Sequence, residues 1–171
     1  MGKKIIALGL GNILNRDEAT GVYALKELEK ILPEKIKSGV ELVDGGVLGM
    51  DLLPYVEQAS QLLILDAVDG GAQPGEVLEY AKDEIELFYC GRLSWHQLGF
   101  QEVLAVAKVR GKYPENVYLI GVQPADTKTG VGLSRKMKNS VQKMAKRAVE
   151  VLEAWFGEKK FKSGKNINRG E

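Results

Sequence analysis

The side chains best placed to do chemistry are a single histidine, His96, and acidic residues that follow apolar runs or a glycine-rich turn: Glu18, Asp44 and Asp66. One histidine removes many mechanisms at once. A multi-histidine zinc site and an H-E-x-x-H helix are impossible, a Ser-His-Asp triad could only use His96, and no G-x-S-x-G elbow occurs. Two carboxylates and one imidazole can hold a divalent transition metal and leave positions open for substrate. The spacing alone does not enforce such a site, because 48 residues separate Glu18 from Asp66 and 30 separate Asp66 from His96.

Each residue also has an ordinary structural alternative. Glu18, three residues after Asn15, could be the acidic partner of a capping box; its neighbour Asp17 could play either part. Asp66 could cap a helix or close an Asx-turn. His96 falls in the first turn of a predicted helix, where the macrodipole disfavours imidazolium and leaves the neutral, metal-binding form. It could equally satisfy nearby backbone groups. Cys90, the only cysteine, has no histidine or cysteine close in sequence and reads as an unreactive thiol. With one cysteine there is no disulfide framework, which points to a reducing compartment.

The elements that must position these residues alternate strand and helix. Residues 4–8 read as a strand buried on both faces, followed by the turn Gly9-Leu10-Gly11-Asn12. That turn lacks the third glycine of G-x-G-x-x-G, and no phosphate-binding loop is present, so tight backbone passage accounts for the glycines. A helix over 18–32 carries Val22, Leu25, Leu28 and Leu32 on one face and stops at Pro33. Residues 40–43 are a second strand ending at Asp44-Gly45-Gly46, 49–58 a helix, and 61–65 a third strand ending at Asp66. Loop signals fill 67–75, and a strand is predicted over 76–81. A helix over 94–110 starts with capping-box spacing at Ser94 and Gln97 and continues its period through Leu98, Gln101, Leu104 and Ala105. A strand over 117–122 ends at Gln123-Pro124. The last helix, 134–156, has a stripe of Leu133, Met137, Val141, Met144, Ala148, Leu152 and Trp155.

This alternation predicts one three-layer α/β domain over 1–156, a twisted, mostly parallel sheet of about five strands with helices on both faces. Ligands in such folds bind beyond the carboxyl ends of the strands. That rule selects the Gly9–Glu18 turn, Asp44, Asp66 and Gln123 as neighbours.

Composition agrees with a single globular domain: 171 residues, 44% hydrophobic, 27% charged and net charge +1. The balance excludes the basic surface of a nucleic-acid binder. The apolar run at 5–10 is too short to span a membrane and has no cleavage site after it, so a cytoplasmic protein is expected. Residues 157–171, with five basic and two acidic side chains and no apolar periodicity, read as a polar basic tail without fixed structure.

Seven landmarks occur in order: Gly9-Leu10-Gly11-Asn12-Ile13-Leu14, Asp17-Glu18, Asp44-Gly45-Gly46, Leu65-Asp66-Ala67-Val68-Asp69, His96-Gln97-Leu98-Gly99-Phe100, Gly121-Val122-Gln123-Pro124 and Gly132-Leu133-Ser134. Over residues 4–156 the chain thereby resembles the hydrogenase maturation proteases, which cut a C-terminal extension from the large subunit of nickel–iron hydrogenases. The resemblance implies that Glu18, Asp66 and His96 are the metal-binding and catalytic set. It further implies that the metal is nickel supplied by the substrate, the large-subunit precursor, and that other divalent metals can occupy the site in vitro. Cleavage would then act as a check that nickel has been inserted. Asp44 and Asp69 are candidates to support the ligands from behind. The sequence departs from the family where glycine usually follows the metal-binding glutamate: here Ala19-Thr20 precede Gly21.

Two other readings use the same residues. Peptidyl-tRNA hydrolases also open with G-L-G-N, but Ile13 follows Asn12 here, the histidine lies late in the chain, and the body is slightly acidic. A non-catalytic nickel or precursor chaperone would bind through the same ligands and release no peptide.

Overall fold

The computed structural model describes residues 4–82, 84–85 and 95–157, with the side chains of 95–98 outside it. Ser94, Cys90 and the 158–171 segment lie outside the described residues, so the capping box, the thiol and the tail are expectations of sequence alone. The five strands β1 (Ile5–Leu10), β2 (Val40–Gly46), β3 (Gln61–Ala67), β4 (Val77–Ala81) and β5 (Asn116–Val122) form one sheet in the order β2-β1-β3-β5-β4. β4 alone runs antiparallel to its neighbour. The helices are α1 (Thr20–Ile31), α2 (Glu34–Lys37), α3 (Leu53–Gln58), α4 (Trp95–Val109) and α5 (Arg135–Trp155).

β1 and β3 are buried at every position, as continuous apolar runs demand of strands covered on both faces. Alternate β1 side chains go to opposite cores. Ile5 and Ala7 pack with α1 and α5, including Leu28, Met144, Ala148 and Leu152. Ile6, Leu8 and Leu10 pack in a second cluster with Leu52, Val56 and Phe100, Val103 and Ala107 of α4. A sheet between two helical layers follows, as expected.

Some details differ from the sequence reading. The predicted 18–32 and 49–58 helices each begin as a short 3-10 turn, Arg16–Ala19 and Gly49–Leu52. Residues 34–37 form α2, because Pro33, which ends one helix, also suits the entry to another. In α4 the buried face is Phe100, Val103, Leu104 and Ala107, whereas Ala105 is exposed. The i, i+3, i+4, i+7 face runs through the larger side chains. The stripe on α5 is as predicted, with Met137, Val141, Met144, Ala148 and Leu152 buried.

β4 is an edge strand, and polar side chains pin it. Glu79 accepts the Arg147 Nε–H of α5 at 2.8 Å and the Tyr118 hydroxyl of β5 at 2.5 Å. Arg147 and Glu79 are largely shielded, 20% and 14% exposed, so this pair holds more strongly than surface ion pairs do.

Candidate functional site

The sheet order makes the chain step from β1 outward to β2, then back across β1 to β3. The point where the direction reverses lies between β1 and β3, and folds of this kind bind their ligands beyond the carboxyl ends of the strands at such a point. The register sets what stands there. Gly9 faces Asp44 on one side and Leu65 on the other, and Asp66 follows one residue further out. Asp44 and Asp66 therefore share one edge of the sheet, as the sequence reading required.

Glu18 is brought to that edge by backbone close approach. A Cβ on Gly21 would stand 2.1 Å from the Leu65 carbonyl oxygen and 2.4 Å from that of Leu10, so only glycine lets the start of α1 lie across β1 and β3. Gly11, at φ +131, passes equally near the Glu18 carbonyl. The turn carrying Glu18 consequently packs on β3. Asn15 does not cap the helix. Its side-chain amide instead donates to Glu18 Oε2 at 2.9 Å, and orients a half-buried carboxylate.

Asp17 has a different part from Glu18, and it is the residue whose role the sequence did not reveal. It is fully buried. Its Oδ2 accepts the backbone N–H groups of Ala125 and Asp126 at 3.0 and 2.8 Å and the Ser134 hydroxyl at 2.9 Å; its Oδ1 accepts the Ser134 N–H at 2.8 Å. A short parallel bridge, Asn15 to Gly130, runs alongside: Gly130 N–H donates to the Leu14 carbonyl and Arg16 N–H to that of Gly130. Arg16 takes φ 46, the single non-glycine residue at positive φ among those described. Such a conformation costs about 1–3 kcal/mol and persists only where the surroundings impose it. The Asp17 clamp and the bridge do so. The one hint in sequence was that Asp17 and the Gly132-Leu133-Ser134 landmark both stand out; nothing there showed that they touch.

Asp66 is fully buried at the end of β3, with Oδ1 accepting the N–H of Ala67 at 2.8 Å. It neither caps a helix nor closes an Asx-turn through that bond. Asp69 is exposed and braces its own loop: its Oδ1 accepts the Gly71 N–H and the Gln123 side-chain amide. Gln123 Oε1 in turn accepts the N–H groups of Gly70 and Ala72. Asp69 and Gln123 thus fix the loop after β3 to the end of β5. Asp44 is exposed on β2.

His96 is the second residue of α4, and its side chain lies outside the described residues. The backbone around it is placed: Gly99, one turn later, faces the Cα of Gly49, 3.7 Å from where its Cβ would be, and α4 packs on the 49–52 turn that follows β2. The start of α4 is therefore next to the loop leaving the carboxyl end of β2. Among the described residues no three acidic, histidine or cysteine side chains stand together as a metal-binding group; the expected trio includes the undescribed imidazole. Two carboxylates toward the carboxyl edge of the sheet, one buried and one half-buried, could bind a cation and position a polar substrate group.

The sequence profile described as hydrogenase maturation protease matches residues 22–151. The hydrogenase expression/formation protein HoxM of Cupriavidus necator is 40% identical over 156 residues, 90% of this chain and 76% of that protein. The hydrogenase 2 maturation protease of Escherichia coli is 32% identical over 87% of this chain and 90% of its own length. Among solved structures, the hydrogenase maturating endopeptidase HybD of E. coli superposes with a TM-score of 0.81 at 32% identity, covering 89% of this chain and 93% of that one.

Proposed function

Because the chain belongs to the hydrogenase maturation protease family, we propose that it is the endopeptidase that removes the C-terminal extension of a nickel–iron hydrogenase large-subunit precursor, acting once nickel is in place. In this reading Glu18, Asp66 and His96 grip the nickel that the precursor carries. The observation that supports it most is the packing of the Glu18 turn against β3, the strand that ends in Asp66 and Ala67, enforced by Gly11 and Gly21.

The donor set suits the cargo. Two carboxylates and one neutral imidazole are ligands that nickel accepts while keeping positions for the precursor's own groups. A metal held there would polarise a carbonyl or activate a water. The chain's own contribution is to orient: the Asn15 amide holds one oxygen of Glu18, and the Ala67 N–H holds Oδ1 of Asp66. Peptide-bond hydrolysis needs only water as co-reactant; the new carboxyl and amino termini leave as products. A precursor without nickel would offer these ligands nothing to grip and would stay uncut.

Nickel-loaded precursor mixed with the pure protein tests this. Release of the C-terminal peptide, seen by mass spectrometry, is expected with the parent and lost with Glu18→Gln and His96→Ala. Uncut precursor with the parent, or variants as active as the parent, would overturn the assignment. Binding without release would favour a chaperone.

A further inference from the structure

Large apolar side chains are not scattered evenly over this surface. Of the nine that are exposed among the described residues, six belong to the loops at the carboxyl edge of the sheet: Ile13, Leu14, Val47, Leu48, Met50 and Val131. Isolated exposed apolar residues are ordinary; a contiguous group is not.

Backbone bonds join the loops that carry them. Gly130, next to Val131, donates to the Leu14 carbonyl at 2.7 Å, and Gly11, two residues before Ile13, donates to the Gly46 carbonyl at 2.9 Å, next to Val47. The loop after β1 is thus stitched to the loop after β5 on one side and to the end of β2 on the other. Ile13 is 53% exposed, Leu14 57%, Val47 60% and Val131 80%. Glu18 joins the same unit through the amide of Asn15, the residue after Leu14.

We infer that this strip is the docking surface for the hydrogenase precursor, an apolar face of which it covers while the scissile segment reaches Glu18. The inference rests on the proteolytic reading above. Continuity between the strip and the Glu18 loop carries it. A second copy of this chain seated on Ile13 and Leu14 would close off the loop that presents Glu18, whereas the substrate of a site at this edge must lie over it. The strip spans three loops, which suits a folded partner's face rather than one inserted side chain.

The test is steady-state cleavage of nickel-loaded precursor by the parent, Leu14→Asp, Leu48→Asp and Val131→Asp, with Val109→Asp as a control at a distant exposed apolar position on α4. KM is expected to rise about tenfold or more for each strip variant with kcat within about twofold of the parent, and to be unchanged for Val109→Asp. Because the strip side chains are exposed, the variants should keep the parent's melting temperature and its affinity for Cd2+ alone. Unchanged KM in all three, a loss confined to kcat, or an equal rise in the control would each overturn the assignment. So would a parent dimer that the variants dissociate without any change in KM. Direct binding of uncut precursor separates the two claims: if the parent binds without cutting and the strip variants bind more weakly, the surface stands and the proteolytic reading fails.

Discussion

Replacing Asp17 by alanine removes one carboxylate and abandons four donors at once: the N–H groups of Ala125, Asp126 and Ser134 and the Ser134 hydroxyl. Hydrogen bonds to a charged group contribute about 1.5–3 kcal/mol each, but four that share one acceptor group are not additive. A donor left without its acceptor costs about 1–3 kcal/mol, and four that lose one fully buried acceptor group together should cost about 4 kcal/mol. A domain holds only about 5–15 kcal/mol in total, so the variant should fold but stand near its limit. With a urea slope of about 2 kcal/mol/M, the midpoint should fall by about 2 M. Asp17→Asn should cost nearly as much, since either orientation of the amide turns an NH2 group toward a donor. Ser134→Ala removes the hydroxyl bond alone and should cost about 1 kcal/mol. Urea titration followed by far-UV circular dichroism reads all three. A midpoint drop under about 0.5 M for Asp17→Ala, or a Ser134→Ala effect as large as that of Asp17→Ala, would refute the clamp.

The remaining expectations are briefer. Gly21→Ala would drive a methyl to within 2.1 Å of the Leu65 carbonyl; overpacking of this kind costs about 1–3 kcal/mol and should displace Glu18, so its melting temperature and its cleavage rate should both fall. Arg147→Met leaves the shielded Glu79 carboxylate without its guanidinium partner and should cost about 3 kcal/mol, with amide hydrogen exchange accelerated in β4 more than in β1. Burial first, and Glu84 second, hold the Tyr80 phenol above its ordinary 10.0. The folded state then keeps a proton that the unfolded chain gives up, so this stability is intact below about pH 10 and is lost as pH rises further. Tyr80→Phe should flatten that alkaline decline in a series of urea midpoints.

What could be read from the sequence was whatever depends on local pattern. The runs at 5–10 and 61–65 are apolar without alternation, which only strands covered on both faces require, and they are the two innermost-facing neighbours of the switch point. The rule that ligands gather beyond strand ends then selected Asp44, Asp66 and the loop after β1 from one dimension. Bends and long-range partners were not legible. Asp44-Gly45-Gly46 continues β2 because the register slips between Gly9 and Leu10, with Leu10 facing Gly46, and nothing in those residues announces a bulge in their neighbour. Asp17 and Glu18 are adjacent acids of similar propensity. Only donors more than a hundred residues away, on Ala125, Asp126 and Ser134, separate the clamped carboxylate of Asp17 from its neighbour.

The bridge from Asn15 to Gly130 bears on how the protein comes into being. A ribosome delivers Glu18 early and Asp66 midway, yet the segment that sets the backbone beneath Glu18 emerges only after most of the chain has been made. Until Ala125 to Ser134 is available, Asp17 has no donors and Arg16 has no reason to stay in its costly conformation. A nascent or truncated chain ending before that point would own both Glu18 and Asp66 and still hold Glu18 loosely, so competence arrives late, together with the final helix.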